Sequence, residues 1–248
     1  MTASTELSVQ LYTLREALAA DTDRVLGELA ELGFRQVEPY GLPQTAASLQ
    51  PALARFDLTV PTAHGGFLDG DRDAVFAAAR ELGVQTLVQP FVDPSRWQDA
   101  AGVTAIADGL NEAAATAADH GLRVGYHNHH FELESQIDGR HALEFLADQL
   151  DPRVVLEVDT YWAYAGGADV PALLGRLGDR VVALHVKDGD GSLNTKAQTA
   201  VGSGTLPVLD FLAAAPDALR VVELDDTEGD RMAAVAASRE YLLAQASA

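Results

Sequence analysis

Short apolar runs recur along the chain and alternate with segments of helical periodicity. The candidate strands are LSVQLYT, QVEPYG, TVPTAHG, TLVQPFV, RVGYHNHHFE (123–132), VVLEVDT (154–160), VVALHVKD (181–188) and LRVVELDD (219–226). The last four are β-branched and apolar before they turn polar, which is typical of parallel strands that are buried on both faces. Strands that alternate with helices predict βαβ units.

Helix signals lie between these runs. The predicted helices cover 23–32, 46–56, 71–82, 98–120, HALEFLADQL, VPALLGRLG and LPVLDFLAAA. Glycines follow several of them in the position of a left-handed cap. Eight strands that alternate with helices in 248 residues predict an α/β fold, the (β/α)8 TIM barrel, as a single domain over residues 1–248. The alternative is a doubly wound open sheet, but no glycine-rich dinucleotide turn follows the first strand.

Composition limits the partners and the chemistry. Seventeen basic residues against 37 acidic ones give a formal charge of −20, which repels nucleic acid and anionic lipid surfaces. The chain has no cysteine, so any metal must be held by oxygen and imidazole nitrogen. No apolar stretch reaches the roughly 18 to 20 residues of a membrane span. The start, MTASTELSVQ, lacks the features of a signal peptide, which favours the cytoplasm.

Polar residues stand at or just past the ends of the last four runs. They are Glu132, Asp159, His185 and Glu223. Because the strand ends of a TIM barrel carry the active site, these side chains could converge at the barrel mouth. Three carboxylates and one imidazole suit one divalent cation, Mn²⁺ first, with Mg²⁺, Co²⁺ or Zn²⁺ as alternatives. One such residue alone would more often pair with a lysine or cap a loop, but four residues in register favour a metal site.

Several stretches resemble a known family. YHNHHFE, EVDTYW, GDRVVALHVKDGD and RVVELDD are similar to the sugar phosphate isomerase/epimerase group of xylose-isomerase-like TIM barrels, most strongly from Gly125 onward. That group includes ketose 3-epimerases, hydroxypyruvate isomerase and inosose dehydratase. The resemblance implies that Glu132, Asp159, His185 and Glu223 bind one divalent cation. It also implies that Glu132 and Glu223 are catalytic and move protons on opposite sides of the substrate carbon.

The resemblance predicts a divalent-metal-dependent isomerase or epimerase of a small sugar or keto-sugar, working through an enediolate. The alternative is a lyase with the same site, which dehydrates a keto-cyclitol or opens a keto-glycoside by elimination. A nuclease related to the more distant endonuclease IV type would need more metal ligands and a basic groove, and the net charge opposes it. Ketose 3-epimerases carry a histidine where this chain has Trp162 and an arginine where it has Gly191. A homo-oligomer is left open.

Substrate contacts are predicted for further residues near strand ends: Glu38, His64, His129, Trp162 and Lys187. Glycines beside His64 would let a ligand approach closely. His129 is preferred over His127, which shares its strand face, as a contact at the pocket. Trp162 could stack on a sugar ring. Lys187 could polarise a substrate oxygen, and its alternative is a salt bridge with a neighbouring carboxylate.

Overall fold

A parallel sheet curls through the part of the chain that the computed structural model describes, residues 6–246. Its strands are β1 (Leu7–Val9), β2 (Thr62–His64), β3 (Thr86–Gln89), β4 (Arg123–His127), β7 (Val154–Asp159), β8 (Val181–Val186) and β9 (Leu219–Val222), with β5 (Gln136–Ile137) and β6 (Arg140–His141) forming a separate hairpin. The order in the sheet is β1-β9-β8-β7-β4-β3-β2, with every neighbouring pair parallel.

The chain between residues 35 and 39 closes the gap between β1 and β2. Glu38 N donates to Val9 O at 2.8 Å and Leu11 N donates to Glu38 O at 2.9 Å. On the other side, Val37 N donates to Thr59 O at 3.0 Å. The run QVEPYG therefore takes the place of the second barrel strand through isolated bridges. These contacts confirm the predicted TIM barrel.

Helices cover the outside of the sheet. They are α1 (Arg15–Ala20), α2 (Thr22–Glu31), α3 (Ala46–Arg55), α4 (Arg72–Glu81), α5 (Ala100–Asp119), α6 (Phe131–Glu134), α7 (Ala142–Gln149), α8 (Thr160–Ala165), α9 (Val170–Leu177), α10 (Val208–Ala214) and α11 (Arg231–Ala246). The seven helices predicted by pattern agree with α2, α3, α4, α5, α7, α9 and α10 to within two residues at each end. Asp21, Asp71, Asp99 and Asp169 each cap a helix with a side-chain oxygen, which satisfies a free N–H group of the first turn.

The predicted strand 123–132 is shorter in the structure. It ends at His127, and the chain then turns into α6, which begins at Phe131. Glu132 therefore lies on a helix rather than at a strand end. The first run, LSVQLYT, also ends early, because residues after Val9 form a 3-10 turn, Leu11–Leu14.

The strand bodies and the inner faces of the helices form one apolar core, and β7 is buried along its whole length. Burial on both faces accounts for the continuous apolar runs in the sequence. Within residues 6–246, no helix is both long and apolar enough to cross a membrane. The prediction made from the first ten residues, that they are not a signal peptide, concerns residues that lie half outside the described part of the chain.

Candidate active site at the barrel mouth

A pocket of about 320 Å³ opens at the carboxyl ends of the strands. It is lined by Tyr12, Tyr40, Gly41, His64, Pro90, Phe91, His127, His129, Glu223 and Asp225. Aromatic rings thus face histidines and carboxylates, an arrangement that suits a small polar ligand. A larger cavity of about 640 Å³ lies on the outside of the barrel, between α1, α2 and α11, away from these strand ends.

Three imidazole rings surround one carboxylate oxygen next to this pocket. Glu157 Oε1 lies 2.6 Å from His64 Nε2, 3.0 Å from His185 Nε2 and 3.2 Å from His127 Nδ1. All four side chains are buried. We call them the imidazole group. Their ligand atoms all lie within 4.8 Å of one another, so the barrel holds a buried histidine and glutamate cluster that could bind a metal.

Strand register brings the imidazole group together. His127 pairs with Glu157 across β4 and β7, and His64 ends β2. The pairing of β7 with β8 shifts between Leu156 and Glu157. Such a bulge redirects side chains next to it. The ring of His185 then stacks on that of His64, with centroids 5.2 Å apart and planes within 10°.

A second cluster forms around a buried lysine. Lys187 Nζ lies 2.8 Å from Asp159 Oδ2, 2.8 Å from Glu223 Oε2 and 2.7 Å from Asp225 Oδ2. Lys187 is only 1% exposed. We call these four residues the lysine group. The positive charge of this ammonium is thus compensated by carboxylates although it is buried. The salt bridge given above as the alternative role of Lys187 is present in the structure.

The charges of the lysine group reinforce one another. Burial alone would lower the pKa of Lys187, but Asp159 and Asp225 outweigh it and hold that pKa well above its usual range. Burial alone would raise the pKa of Glu223, yet Lys187 and His185 bring that pKa well below its usual range. For Asp159 burial outweighs the lysine, and the pKa rises to about 6. Glu223 is therefore ionised at neutral pH.

His185 is a member of the imidazole group and also contacts Glu223 of the lysine group. Its Nδ1 lies 2.6 Å from Glu223 Oε2, and its Nε2 lies 2.7 Å from Glu38 Oε1. Glu38 also accepts a hydrogen bond from Gln10 Nε2 at 2.7 Å. Although burial opposes it, the surrounding glutamates, Glu157 first, raise the pKa of His185 well above its usual range.

Glu132 is not among the residues that line the pocket. Its Oε1 accepts from the Tyr126 hydroxyl at 2.6 Å and its Oε2 accepts from His129 N at 2.8 Å. Burial raises the pKa of Glu132 to about 8 in spite of these bonds. Glu132 thus keeps its proton at neutral pH, and both of its oxygens are already hydrogen-bonded. This arrangement suits a residue that positions the loop at His129.

Of the four predicted ligands, the structure brings Asp159, His185 and Glu223 together and leaves Glu132 outside their group. That group, as arranged, is a poor fit for the predicted cation, because the Lys187 ammonium lies within 2.8 Å of both its carboxylates. A divalent cation and an ammonium repel each other at such a distance. The imidazole group fits better, since no lysine or arginine contacts its nitrogen and oxygen atoms among the described residues.

The predicted substrate contacts divide into two sets. His64 and His129 line the pocket. Burial, and then the charge of Lys187, lower the pKa of His129 to about 4, so its ring is neutral at pH 7. Glu38, Lys187 and Trp162 are buried behind the pocket wall. The ring of Trp162 lies over Lys187, with its centroid 5.5 Å from Nζ.

The sequence patterns do not predict a site role for three residues that shape the site. Glu157 lies inside a continuous apolar run, His127 was placed second to His129, and Asp225 follows Glu223 by two positions. The available signal was the strand period, because residues two apart face the same side. Glu157 shares a face with Asp159 by this rule, and Asp225 would share one with Glu223 if the strand continued.

Comparisons with known proteins agree with the barrel fold. Residues 26–243 match the family model described as a xylose isomerase-like TIM barrel. An inosose dehydratase from Geobacillus kaustophilus is 27% identical over 199 residues, which cover 67% of this chain and 61% of that protein's length. An inosose dehydratase from Salmonella typhimurium is 30% identical over 101 residues, covering 40% of this chain and 31% of its own. The chain thus spans less than two thirds of these relatives.

Solved structures share the fold. A sugar phosphate isomerase/epimerase from Parabacteroides distasonis superposes with a TM-score of 0.83 at 21% identity, covering 98% of this chain and 94% of that one. A probable 3-DHS dehydratase from Bacillus anthracis superposes with a TM-score of 0.73 at 14% identity, covering 96% and 98% of the two chains. At these identities the likeness establishes the barrel, and the chemistry has to be argued from the pocket.

Proposed function

Because the chain belongs to the xylose isomerase-like TIM barrel family, we propose that it is a lyase that removes water from a small polyhydroxylated ketone such as a keto-sugar or keto-cyclitol. The observation that carries the proposal is that Glu223 is the one glutamate lining the pocket within residues 6–246. A substrate with several hydroxyl groups suits the polar wall, and the pocket volume of about 320 Å³ limits it to a small molecule.

A single glutamate at the pocket favours elimination over epimerisation by two glutamates. Epimerisation by two glutamates requires one carboxylate on each face of the substrate carbon, and the second one, Glu132, is engaged with Tyr126 and His129. A syn elimination needs one group only. That group takes the proton beside the carbonyl and returns it to the hydroxyl on the next carbon, on the same face.

Glu223 is placed for both steps. Its contacts with His185 and Lys187 use Oε2, which leaves Oε1 for the substrate. As a carboxylate it accepts the proton from the carbon next to the ketone. Because its pKa is low, the protonated form is a strong acid, and it readily gives that proton to the departing hydroxyl group. The carbon–oxygen bond breaks, a double bond forms between the two carbons, and water leaves.

The enolate formed in the first step needs stabilisation. A divalent cation bound beside the pocket would act as a Lewis acid on the carbonyl oxygen. The predicted set of Glu132, Asp159, His185 and Glu223, and the preference for Mn²⁺, remain predictions. Neutral His129 and the carboxylate of Asp225 line the pocket and can hydrogen-bond to hydroxyl groups of the substrate.

Isomerisation or epimerisation is the second candidate, and the position of His129 favours it. His129 follows β4 and Glu223 follows β9, with β7 and β8 between them in the sheet. Two proton-transfer groups thus approach the pocket from separate strands, and a neutral imidazole can take the place of the second glutamate.

Proton NMR in D₂O distinguishes the two reactions. We expect that, with Co²⁺ or Mn²⁺ added, at least one substrate in a panel of ketoses and keto-cyclitols gives a product that has lost one water. The Glu223→Gln variant should abolish that product, and Glu134→Gln, at an exposed neighbour of Glu132, serves as the control. A product isomeric with its substrate and carrying deuterium would contradict the lyase assignment. Equal loss of activity in Glu132→Gln and Glu223→Gln would restore the mechanism with two glutamates.

A further inference from the structure

We propose that the imidazole group, His64, His127, His185 and Glu157, is the binding site for one divalent transition-metal cation. This inference stands apart from the reaction proposed above, because it concerns cation binding alone. It differs from the set predicted by sequence, with which it shares only His185. Three separate features of the structure support it.

The spacing of the ligand atoms is the first feature. The three ring nitrogens lie 2.6 to 3.2 Å from Glu157 Oε1. Two ligands at right angles around a cation, each about 2.1 Å from it, are about 3 Å apart. The three separations are close to this spacing, and all four ligand atoms lie within 4.8 Å of one another. Three imidazoles with one carboxylate are also a donor set that suits Zn²⁺, Co²⁺ or Fe²⁺ better than Mg²⁺.

The orientation of His185 is the second feature. Its Nδ1 faces Glu223 Oε2 at 2.6 Å, so an Nδ1–H group can donate to that carboxylate. The nitrogen left for a metal is then Nε2, which faces the imidazole group at 3.0 Å from Glu157 Oε1. A carboxylate that fixes the tautomer of a metal-ligating histidine is a recurrent arrangement. A cation bound by Asp159, His185 and Glu223 would require Nδ1 of His185 as its ligand instead, and Lys187 lies on that side.

Unsatisfied buried atoms are the third feature. Glu157 Oε2, Glu38 Oε2 and His127 Nδ1 are buried without a well-directed hydrogen bond in the described part of the chain. Buried polar atoms without partners cost free energy unless an ion or water satisfies them. Glu38 lies beside the group, with Oε1 3.3 Å from His64 Nε2 and 2.7 Å from His185 Nε2. His64 and His127 also line the pocket, so a bound cation would be reachable by a substrate oxygen.

The test is calorimetric titration of the metal-free protein with Co²⁺, together with the visible absorption of the bound ion. We expect one Co²⁺ per chain in the wild type. Glu157→Gln and His64→Gln should each raise the Kd at least about 100-fold, because each removes a ligand. Asp159→Asn should change the Kd less than about 10-fold. His120→Gln, at the end of α5, is the matched histidine control.

Circular dichroism of each metal-free variant checks that it folds, and His64→Gln, at the pocket wall, serves if Glu157→Gln does not. Two results would overturn the proposal. One is a wild type that binds no Co²⁺ at millimolar concentration. The other is loss of binding in Asp159→Asn while Glu157→Gln and His64→Gln retain it, which would locate the cation in the lysine group.

Discussion

The imidazole group and the lysine group lie side by side, share the support of His185, and handle charge in opposite ways. In the lysine group an internal ammonium is paired with Asp159, Glu223 and Asp225. In the imidazole group Glu157 is surrounded by ring nitrogens that become positive only if they take up protons. One cluster thus carries a permanent ammonium, whereas in the other a bound cation would replace the proton that the raised pKa of His185 keeps on its ring.

This difference shows how two sites can work a few ångströms apart. A permanent ammonium keeps Glu223 ionised and holds its Oε2 in place. Its charge also opposes the binding of a divalent cation between Asp159 and Glu223. In the proposed account the imidazole group binds the ion, while Glu223 transfers the proton.

The largest effect is expected where the two groups meet. Glu223→Gln removes the carboxylate that links His185 to Lys187 and, in the proposed reaction, the proton acceptor. We expect kcat to fall about 100-fold to 10,000-fold, the usual contribution of a general base. Co²⁺ affinity should fall only about 10-fold to 100-fold, because the lost contact supports a ligand and is not one. Steady-state kinetics at saturating Co²⁺ and titration of the same samples measure both. An unchanged kcat would contradict the assigned role.

Replacing Lys187 should lower the stability of the fold and leave the affinity for the cation unchanged. Lys187→Met leaves three carboxylates without their ammonium, and we expect the free energy of unfolding to fall by about 3 to 5 kcal/mol. Lys196→Met is the matched control, since the chain has only these two lysines and Lys196 is exposed. Its change should stay within about 0.5 kcal/mol. Urea unfolding of the metal-free proteins gives both values.

A large gain in Co²⁺ affinity in Lys187→Met would show that the ammonium had been competing for the ion. That result would favour a cation between Asp159 and Glu223 and would contradict the separation of the two groups. An affinity close to that of the wild type would support it.

The pH dependence of stability separates Glu132 from both groups. The folded pKa of about 8 lies above the ordinary value of 4.5. Between these values the folded state keeps a proton that the unfolded state has lost, so stability falls as pH rises. We expect the wild type to lose up to about 1.4 kcal/mol per pH unit relative to Glu132→Gln across this window. Urea unfolding at pH 5, 6, 7 and 8 tests it.

The same experiment with Co²⁺ present tests the predicted role of Glu132 as a ligand. A carboxylate that binds a cation is ionised, so the difference in slope between wild type and Glu132→Gln would disappear. A persistent difference would place Glu132 outside the metal site.

Much of the fold follows from sequence pattern. Helices such as Arg72–Glu81 were predicted closely because their apolar faces and capping aspartates are local features. The grouping of Asp159, His185 and Glu223 was also predictable, since these residues follow the ends of neighbouring parallel strands.

The rest of the site depends on features that are not local. The pattern of the run 123–132 predicts one strand and so groups Glu132 with the ligands, whereas the chain leaves the sheet at His127 and turns into α6. The imidazole group depends on the bulge beside Glu157 and on the direction of side chains from separate strands. A period of two in one sequence does not reveal which strands lie opposite each other.

The most direct test of the account is to count the imidazole ligands of the bound ion. X-ray absorption spectroscopy of the protein loaded with one equivalent of Co²⁺ shows multiple scattering from each coordinated imidazole ring. The imidazole group predicts three coordinated rings, from His64, His127 and His185. A single ring, as the group of Asp159, His185 and Glu223 would supply, would contradict the account.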